Sequence, residues 1–294
     1  MSDENSESKE GSKPFEMPFL DHLEELRWCL LKAIAAVFVG AAVCFAFSNL
    51  LFDLLRAPYD EAVHNLVNQR SSALVEALRG YMASLTGAPP PEPAPPIDPD
   101  APLPPGRGLQ LLKPMAGFFI TLQIALLGGF VLALPVVFYQ FWRFIAPGLL
   151  QQEKRLIVPV ISLSVACFAL GAALAYFIVL PLGLQFFLGI DPPGASSQWA
   201  ADEYIGFVIR LILGFGLVFE LPVLSLFLSR MGILTPQYMR HIRRYAVIGI
   251  FVIAAVFTPP DPISQMLMAL PILALYEISI WVSAVSRPKR DKTP

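Results

Sequence analysis

Six long apolar stretches constrain the fold of this chain more than any other feature of its sequence. They run over about 29–55, 115–141, 156–182, 205–229, 245–258 and 263–285. Because roughly 20 helical residues cross a hydrocarbon core of ~30 Å, five of the stretches are long enough to span a bilayer. The stretch at 245–258 covers only ~21 Å, so it needs a locally thinner bilayer or snorkelling flanks. The sequence therefore predicts an all-α, polytopic membrane protein with six transmembrane helices.

The composition agrees with this class and argues against several others. Apolar residues make up 55% of the 294 residues and charged residues only 15%, whereas soluble domains carry about 25% charged residues. The net charge of −2 provides no basic field for nucleic acid. The usual motifs for ATP hydrolysis, zinc proteolysis, thiol redox chemistry and serine hydrolysis are absent from the sequence. We expect no enzymatic activity, no cofactor and no metal site.

The basic residues predict the orientation in the membrane. Fourteen of the 21 Lys and Arg residues lie in the N-terminal segment, in 143–155, in 230–244 and in the C-terminal tail. Cytoplasmic loops carry such an excess of basic residues. Both termini are therefore expected to lie in the cytoplasm, with the chain in the inner membrane. An even number of spans requires the two termini to be on the same side.

The chain divides into a membrane domain and three accessory segments. Residues 1–17 are polar and are expected to form a disordered cytoplasmic tail, followed by the transmembrane domain at 18–285 and a second tail at 286–294. A long outer loop covers 56–113, and its proline-rich part, 87–107, is expected to be extended. We interpret that part as a spacer without its own activity.

Two acidic residues stand out among the basic cytoplasmic segments. Glu25 belongs to an amphipathic helix that precedes the first span, and Glu153 lies in the loop after the second. Glu25 could simply form the solvated face of a surface helix, and Glu153 could pair locally with Lys154 or Arg155. Alternatively, both carboxylates bind arginine side chains of a partner, because guanidinium and carboxylate groups match through two hydrogen bonds.

Polar groups inside the apolar stretches are the other candidates for function. Glu220 lies near the middle of the fourth stretch, where a carboxylate is costly. Arg210 is ten residues away on a different face of the same predicted helix. Thr258, Ser264 and Gln265 flank the turn between the last two stretches, and such groups join membrane helices within one chain or between chains.

Taken together, several strings in order resemble the TatC family, the multispanning subunit of the twin-arginine protein translocase. The strings, in chain order, are His22–Arg27, Phe138–Trp142, Phe144–Leu149, Glu153–Arg155, Ala175–Phe177, Phe219–Pro222 and Thr258–Asp261 with Ser264–Gln265. Their order and spacing hold from about 18 to 285.

The resemblance implies a cupped arrangement of six helices and a role in Sec-independent export of folded proteins, driven by the proton-motive force. It implies that Glu25 and Glu153 bind the paired arginines of twin-arginine signal peptides. Arg27, Phe144 and Arg155 are expected to contribute to this signal-peptide site. Cys29 departs from the family, which usually has a basic residue there, and the outer loop is longer than usual.

The resemblance also implies sites for the rest of the assembly. Glu220 is expected to point into the concave membrane face, and membrane lipid is expected around the protein. The final hairpin, with Thr258, Pro259, Asp261 and Gln265, is expected to dock single-span subunits of the TatA or TatB type. Several copies of the chain are expected within one hetero-complex.

Two other function classes compete with this interpretation. A small-solute secondary transporter would use Glu220 and Arg210 as a proton or ion site, and it would move solute without partner chains. An intramembrane hydrolase would need a nucleophile paired with a base, and the sequence offers no such pair.

Overall fold

A computed structural model describes residues 19–65, 108–145, 157–189, 199–258 and 262–285 of the protein as a helical bundle. The helices are α1 (Phe19–Ala46), α2 (48–65), α3 (Ala116–Ile145), α4 (Ile157–Leu174), α5 (Leu180–Gly189), α6 (Ala201–Val218), α7 (Leu221–Arg230), α8 (Pro236–His241), α9 (Arg243–Phe257) and α10 (Pro262–Val285). The predicted tails at 1–17 and 286–294 and the proline-rich segment 87–107 lie outside the described residues.

Five helical segments of the described chain have the length and composition of membrane spans. They cover 23–46, 116–145, 158–188, 201–230 and 265–285. Each overlaps one of the predicted apolar stretches. The first prediction, 29–55, extended too far, because a turn at Phe47 separates α1 from α2. The remaining stretch forms α9, which is helical as expected but has only 15 residues. The predicted all-α class is thus confirmed for the described chain, with five candidate spans and a shorter sixth helix.

Two of these spans are interrupted next to a proline. Pro181 follows a π-helical segment, Ala175–Val179, that separates α4 from α5. Pro222 is in the first turn of α7, directly after the turn that ends α6. Proline lacks the backbone N–H and its ring collides with the carbonyl four residues earlier, so a regular helix is disfavoured there. Proline alone does not fix the position of a break, because α3 and α10 continue through Pro135 and Pro271.

Two glycines allow α1 and α3 to cross in direct backbone contact. A Cβ atom on Gly129 would lie 2.2 Å from the backbone nitrogen of Ala41, and one on Gly40 would lie 2.6 Å from the Gly129 carbonyl oxygen. Small residues permit this approach between membrane helices. The first and second spans are thereby held together at one crossing point near Gly40 and Gly129.

The span formed by α6 and α7 lies in the centre of the bundle. Its apolar side chains form the main core together with α2, α5 and α10, and Phe215, Val208 and Ile205 are fully buried there. On the other side, Phe168 of α4 occupies the space above Gly216. Ser229 of α7 donates a hydrogen bond to the Ser283 carbonyl of α10 at 3.0 Å. This central span positions two charged residues of the apolar stretches, Arg210 and Glu220.

One end of the bundle, here called the aromatic end, is closed by aromatic and polar contacts. The Tyr59 ring packs against Trp199 and Tyr204, with centroids 6.3 Å and 5.3 Å away. The Tyr204 hydroxyl donates to the Leu55 carbonyl at 2.8 Å. Backbone hydrogen bonds join Gln110 to its neighbours at residues 199–201, at 3.0 Å and 2.8 Å. The described ends of the long outer loop are thereby fixed to the start of α6.

Candidate functional site

Glu25 lies on α1 at the opposite end of the bundle, here called the Glu25 end. The helix begins at Phe19 and continues without a break into the first span, with Leu23, Leu26 and Leu30 exposed on its surface. Glu25 itself is half-buried. Its Oε2 atom is enclosed, and no hydrogen-bond donor reaches it from the described residues. The carboxylate therefore faces protein rather than forming a fully solvated face.

Phe144 lies at the same end as Glu25. The two helices run antiparallel through the crossing of Gly40 and Gly129. Glu25 is 15 residues from Gly40 and Phe144 is 15 residues from Gly129, so each lies roughly 22 Å from the crossing along its own helix. Phe144 is half-buried at this position. The antiparallel register thus brings two of the predicted site residues to one level of the bundle.

The remaining predicted members of the signal-peptide site are partly described. Arg27 is exposed on α1, two residues after Glu25. Glu153 and Arg155 belong to the connection between α3 and α4 and lie outside the described residues. Cys29, the residue that departs from the family pattern, is buried. Its thiol therefore contributes packing rather than a surface charge.

Glu220 occupies the turn between α6 and α7 and is only 6% exposed. Its carboxyl group lies beside Ser164 and Cys167 of α4, while its Oε1 atom has no hydrogen-bond partner among the described residues. The Ser164 hydroxyl in turn accepts a hydrogen bond from Trp142 Nε1 at 3.1 Å. A short polar chain, Trp142–Ser164–Glu220, therefore crosses the bundle between α3 and α7.

Arg210 does not neutralise Glu220. Its Nε atom donates to the Gly206 carbonyl oxygen at 3.1 Å, one turn earlier on the same helix, and its side chain is exposed. Within the described part of the chain, no ion pair joins the two residues. This separation agrees with the prediction that they occupy different faces. It leaves the competing proton- or ion-site interpretation without the geometry that it needs.

The polar groups of the last hairpin point inward. The Thr258 hydroxyl is buried and donates to the Ala254 carbonyl at 2.9 Å. Gln265 Nε2 donates to the Phe251 carbonyl at 3.0 Å and so links α10 to α9. Pro259 and Asp261 lie outside the described residues. Gln265 therefore joins the two helices of the hairpin, whereas the Thr258 hydroxyl is bonded within α9.

The structure adds partners that the sequence analysis did not identify. Ser164 is one, and its only sequence signal is a hydroxyl in an otherwise apolar stretch.

Lys113 and Asp202 form an ion pair of 2.6 Å at the aromatic end. The pair raises the pKa of Lys113 above its ordinary value, chiefly through the hydrogen bond to Asp202. Arg243 and Glu277 form a further ion pair between α9 and α10. Within the described ranges, no cluster of His, Cys, Asp and Glu could hold a metal ion.

Comparison with known proteins decides the family. The family model described as Sec-independent protein translocase protein (TatC) matches residues 21–271, most of the chain. This protein belongs to the TatC family. The predicted resemblance is therefore confirmed, and TatC proteins are components of a protein translocase rather than a class of enzyme.

Individual TatC proteins match over nearly their whole length. The Sec-independent protein translocase protein TatC of Desulforapulum autotrophicum is 37% identical over 93% of this chain and 87% of its own. That of Aquifex aeolicus is 36% identical over 94% of this chain and 98% of its own. A crystal structure of the twin arginine translocase receptor TatC aligns with a TM-score of 0.68 at 35% identity, covering 90% of this chain and 99% of that one.

Proposed function

We propose that this protein is the receptor for twin-arginine signal peptides and the core subunit of a Sec-independent translocase in the cytoplasmic membrane. Its membership of the TatC family supports the export function, and the solved TatC that covers its fold is a twin arginine translocase receptor. The protein acts by binding and assembly rather than by catalysis.

In this proposal the bundle has six spans and both termini lie in the cytoplasm. The distribution of Lys and Arg supports the orientation, which places the Glu25 end inside and the aromatic end outside. The exposed apolar side chains of α9, Ile248, Val252 and Val256, support its contact with lipid. At 15 residues α9 covers about 22 Å, so the bilayer thins beside it or its flanking Arg243 and Arg244 snorkel.

The observation that carries the proposal is the unpaired carboxylate oxygen of Glu25. An enclosed carboxylate oxygen without a donor is unfavourable unless a ligand supplies the hydrogen bond. An arginine of the signal peptide would supply it, and a guanidinium would pair with both carboxylate oxygens. Phe144 lies at the same level, and Glu153 and Arg155 are in the connection that follows it. Glu25 and Glu153 would each take one arginine, with Arg27 and Arg155 orienting these carboxylates.

After recognition, the apolar segment of the signal peptide would lie along the membrane face near Glu220. The burial of Glu220 beside Ser164 supports a role that begins only when α4 and α7 separate, because the closed bundle gives a peptide no access to it. The chain has no nucleotide-binding motif, so the proton-motive force would supply the energy.

Single-span partners of the TatA or TatB type would dock on the last hairpin, in an assembly with several copies of this chain. Since Thr258 and Gln265 are engaged within the hairpin, a partner helix would contact its exposed apolar side chains first. These are Val252, Val256, Met266 and Leu270. Pro259 and Asp261, in the connecting turn, would fix the angle between the two helices.

The test is a binding comparison with the full chain in lipid nanodiscs. A fluorescent signal peptide with Arg-Arg is titrated against the same peptide with Lys-Lys. We expect Glu25→Gln to remove most of the preference for Arg-Arg, a change of roughly tenfold or more, because an amide cannot pair with guanidinium in the same way.

The adjacent Glu24→Gln variant is the matched control, because Glu24 is exposed and carries the same charge one residue earlier. It should bind both peptides as the unmodified chain does. An unchanged Arg-Arg preference in Glu25→Gln would contradict the proposed site, and so would an equal loss in Glu24→Gln.

A further inference from the structure

We propose that Arg210 and the groove beside it form a binding site for an anionic phospholipid, with the phosphate at the guanidinium and one acyl chain in the groove. The site is separate from the signal-peptide site at the Glu25 end. The lipid proposal rests on the proposed function in one respect only, the orientation of the protein, which would place this site in the outer leaflet.

The groove lies between three spans and opens sideways. It has a volume of about 610 Å³ and is lined by α1, α3 and α6. Arg210 lines this groove. Its walls include Val37, Gln123, Phe130, Leu213 and Leu217. Leu217 is 53% exposed, so the groove opens on the outer surface of the bundle. In a membrane protein, such a surface faces acyl chains.

The guanidinium lies at the depth of lipid phosphates. Arg210 reaches back toward the start of α6, as helical side chains do, and its Nε bonds to the Gly206 carbonyl oxygen. The ion pair of Asp202 with the exposed Lys113 marks the polar boundary at this end of the bundle. Gly206 is four residues farther along α6 than Asp202, which is about 6 Å deeper in the membrane. The headgroup region on each side of a bilayer is about 5–7 Å thick. The guanidinium therefore lies where phosphate and glycerol groups lie.

Its hydrogen-bonding capacity calls for an anion. A guanidinium has five N–H donors, and the only hydrogen bond of Arg210 in the described chain is the one from Nε to Gly206. No carboxylate of the described residues forms an ion pair with it. Phosphate accepts two parallel hydrogen bonds from the remaining N–H groups. Gln123, across the groove, offers an amide that can reach the headgroup.

A lipid fits these observations better than a partner helix. A partner helix would need an acidic side chain at this one level to pair with Arg210. A phospholipid presents its charge at this level in every bilayer and continues as an apolar chain, which matches the apolar walls below Arg210 at Leu213 and Leu217.

The experiment is native mass spectrometry of the full chain in detergent, with phosphatidylglycerol and phosphatidylcholine of identical acyl chains added separately. The unmodified chain should retain one phosphatidylglycerol in preference to phosphatidylcholine. Arg210→Gln should lower this preference roughly tenfold or more, the scale on which one hydrogen bond to a charged group changes a binding constant. Arg210→Lys should keep part of it, because the charge remains.

Two further variants separate the charge from the groove. Lys32→Gln removes another exposed cation, from the middle of α1 and outside the lining of the groove, and should leave the preference unchanged. Leu217→Trp fills the groove but keeps Arg210, and it should weaken retention of both lipids. Soluble glycerol phosphate should not displace the bound lipid, because it lacks the acyl chain.

Three results would overturn the proposal. Equal retention of phosphatidylglycerol by Arg210→Gln and the unmodified chain would exclude Arg210 as the phosphate ligand. Displacement by glycerol phosphate would exclude the groove as an acyl-chain site. Unchanged lipid retention by Arg210→Gln with weakened assembly on single-span subunits would assign the groove to a partner helix. Binding of the Arg-Arg peptide, measured in parallel, reports separately on the Glu25 site.

Discussion

The two ends of the bundle are built in different ways. At the aromatic end, hydroxyl, backbone and charged groups pair with one another, as the Tyr204–Leu55 hydrogen bond and the Lys113–Asp202 ion pair show. At the Glu25 end, the carboxylate of Glu25 keeps one enclosed oxygen without a donor in the described chain, and Arg27 and Trp28 are exposed beside it. The first end is held by pairs within the chain, although the Oδ1 atom of Asp202 has no donor among the described residues. At the second end the described residues give Glu25 no ion-pair partner, which leaves its carboxylate available to a ligand.

This difference assigns a separate task to each end. A buried hydrogen-bond acceptor contributes to stability when the protein itself supplies the donor. A buried acceptor without a donor lowers stability until a ligand supplies one. We therefore expect substitutions at the aromatic end to change folding and substitutions at the Glu25 end to change recognition. The crossing of α1 and α3 connects the two, because it sets the register that brings Glu25 level with Phe144.

The largest expected effect is at that crossing. Gly129→Leu would drive a side chain into the Ala41 backbone, where even a Cβ atom would lie only 2.2 Å from the nitrogen. We expect a loss of about 3 kcal/mol or more in the free energy of unfolding. Titration with denaturing detergent in mixed micelles measures it. Gly249→Leu is the control, since a Cβ atom on Gly249 has no neighbour within 4 Å. Equal stability of the two variants would show that the crossing does not hold the spans.

A smaller effect is expected from one hydroxyl at the aromatic end. Tyr204→Phe removes the donor to the Leu55 carbonyl and should lower the free energy of unfolding by about 1 kcal/mol. Tyr238→Phe, at an exposed tyrosine, should leave it unchanged. The same detergent titration applied to Glu25→Gln should show no loss of stability. A larger loss for Glu25→Gln than for Tyr204→Phe would reverse the comparison between the ends.

The smallest effect is expected from the exposed ion pair. Lys113→Gln should change the unfolding midpoint only slightly, because solvent screens charges at the surface. Asp202 raises the pKa of Lys113, so the contribution of this group is complete below the ordinary lysine pKa and fades as the pH rises through the folded-state value. Unfolding midpoints across neutral and alkaline pH should therefore converge for the two chains only at alkaline pH. Convergence already at neutral pH, where Lys113 and Asp202 are both charged, would contradict this assignment.

Much of the fold follows from hydropathy alone. The apolar stretches predicted at 115–141 and 263–285 became helices over Ala116–Ile145 and Pro262–Val285, so the boundaries differ by a few residues at most ends. A bilayer imposes this regularity, because backbone groups in hydrocarbon must bond within their own segment. The interruptions next to Pro181 and Pro222 lie where proline disfavours a regular helix, but Pro135 and Pro271 lie inside continuous helices, so the breaks could not be placed from the prolines alone.

The pairings within the site were less predictable. Lys113 and Asp202 are 89 residues apart in sequence, and their contact depends on how the outer loop returns to the start of α6. The contact of Glu220 with Ser164 depends on the rotation of α4 about its axis, which a uniformly apolar stretch does not specify. Glu25 was identified as a candidate from its charge among basic segments, but its open oxygen is a property of tertiary packing.

The most direct test of the central claim is photo-crosslinking from the position of Phe144 to a signal peptide, since this keeps both Glu25 and Glu153. A benzophenone amino acid replaces Phe144 in one variant and Phe141, an exposed residue of the same helix, in another. The account predicts crosslinks to the Arg-Arg peptide from position 144, few to the Lys-Lys peptide, and few to either from position 141. Equal crosslinking of both peptides from position 144, or stronger crosslinking from 141, would contradict recognition of paired arginines at the Glu25 end.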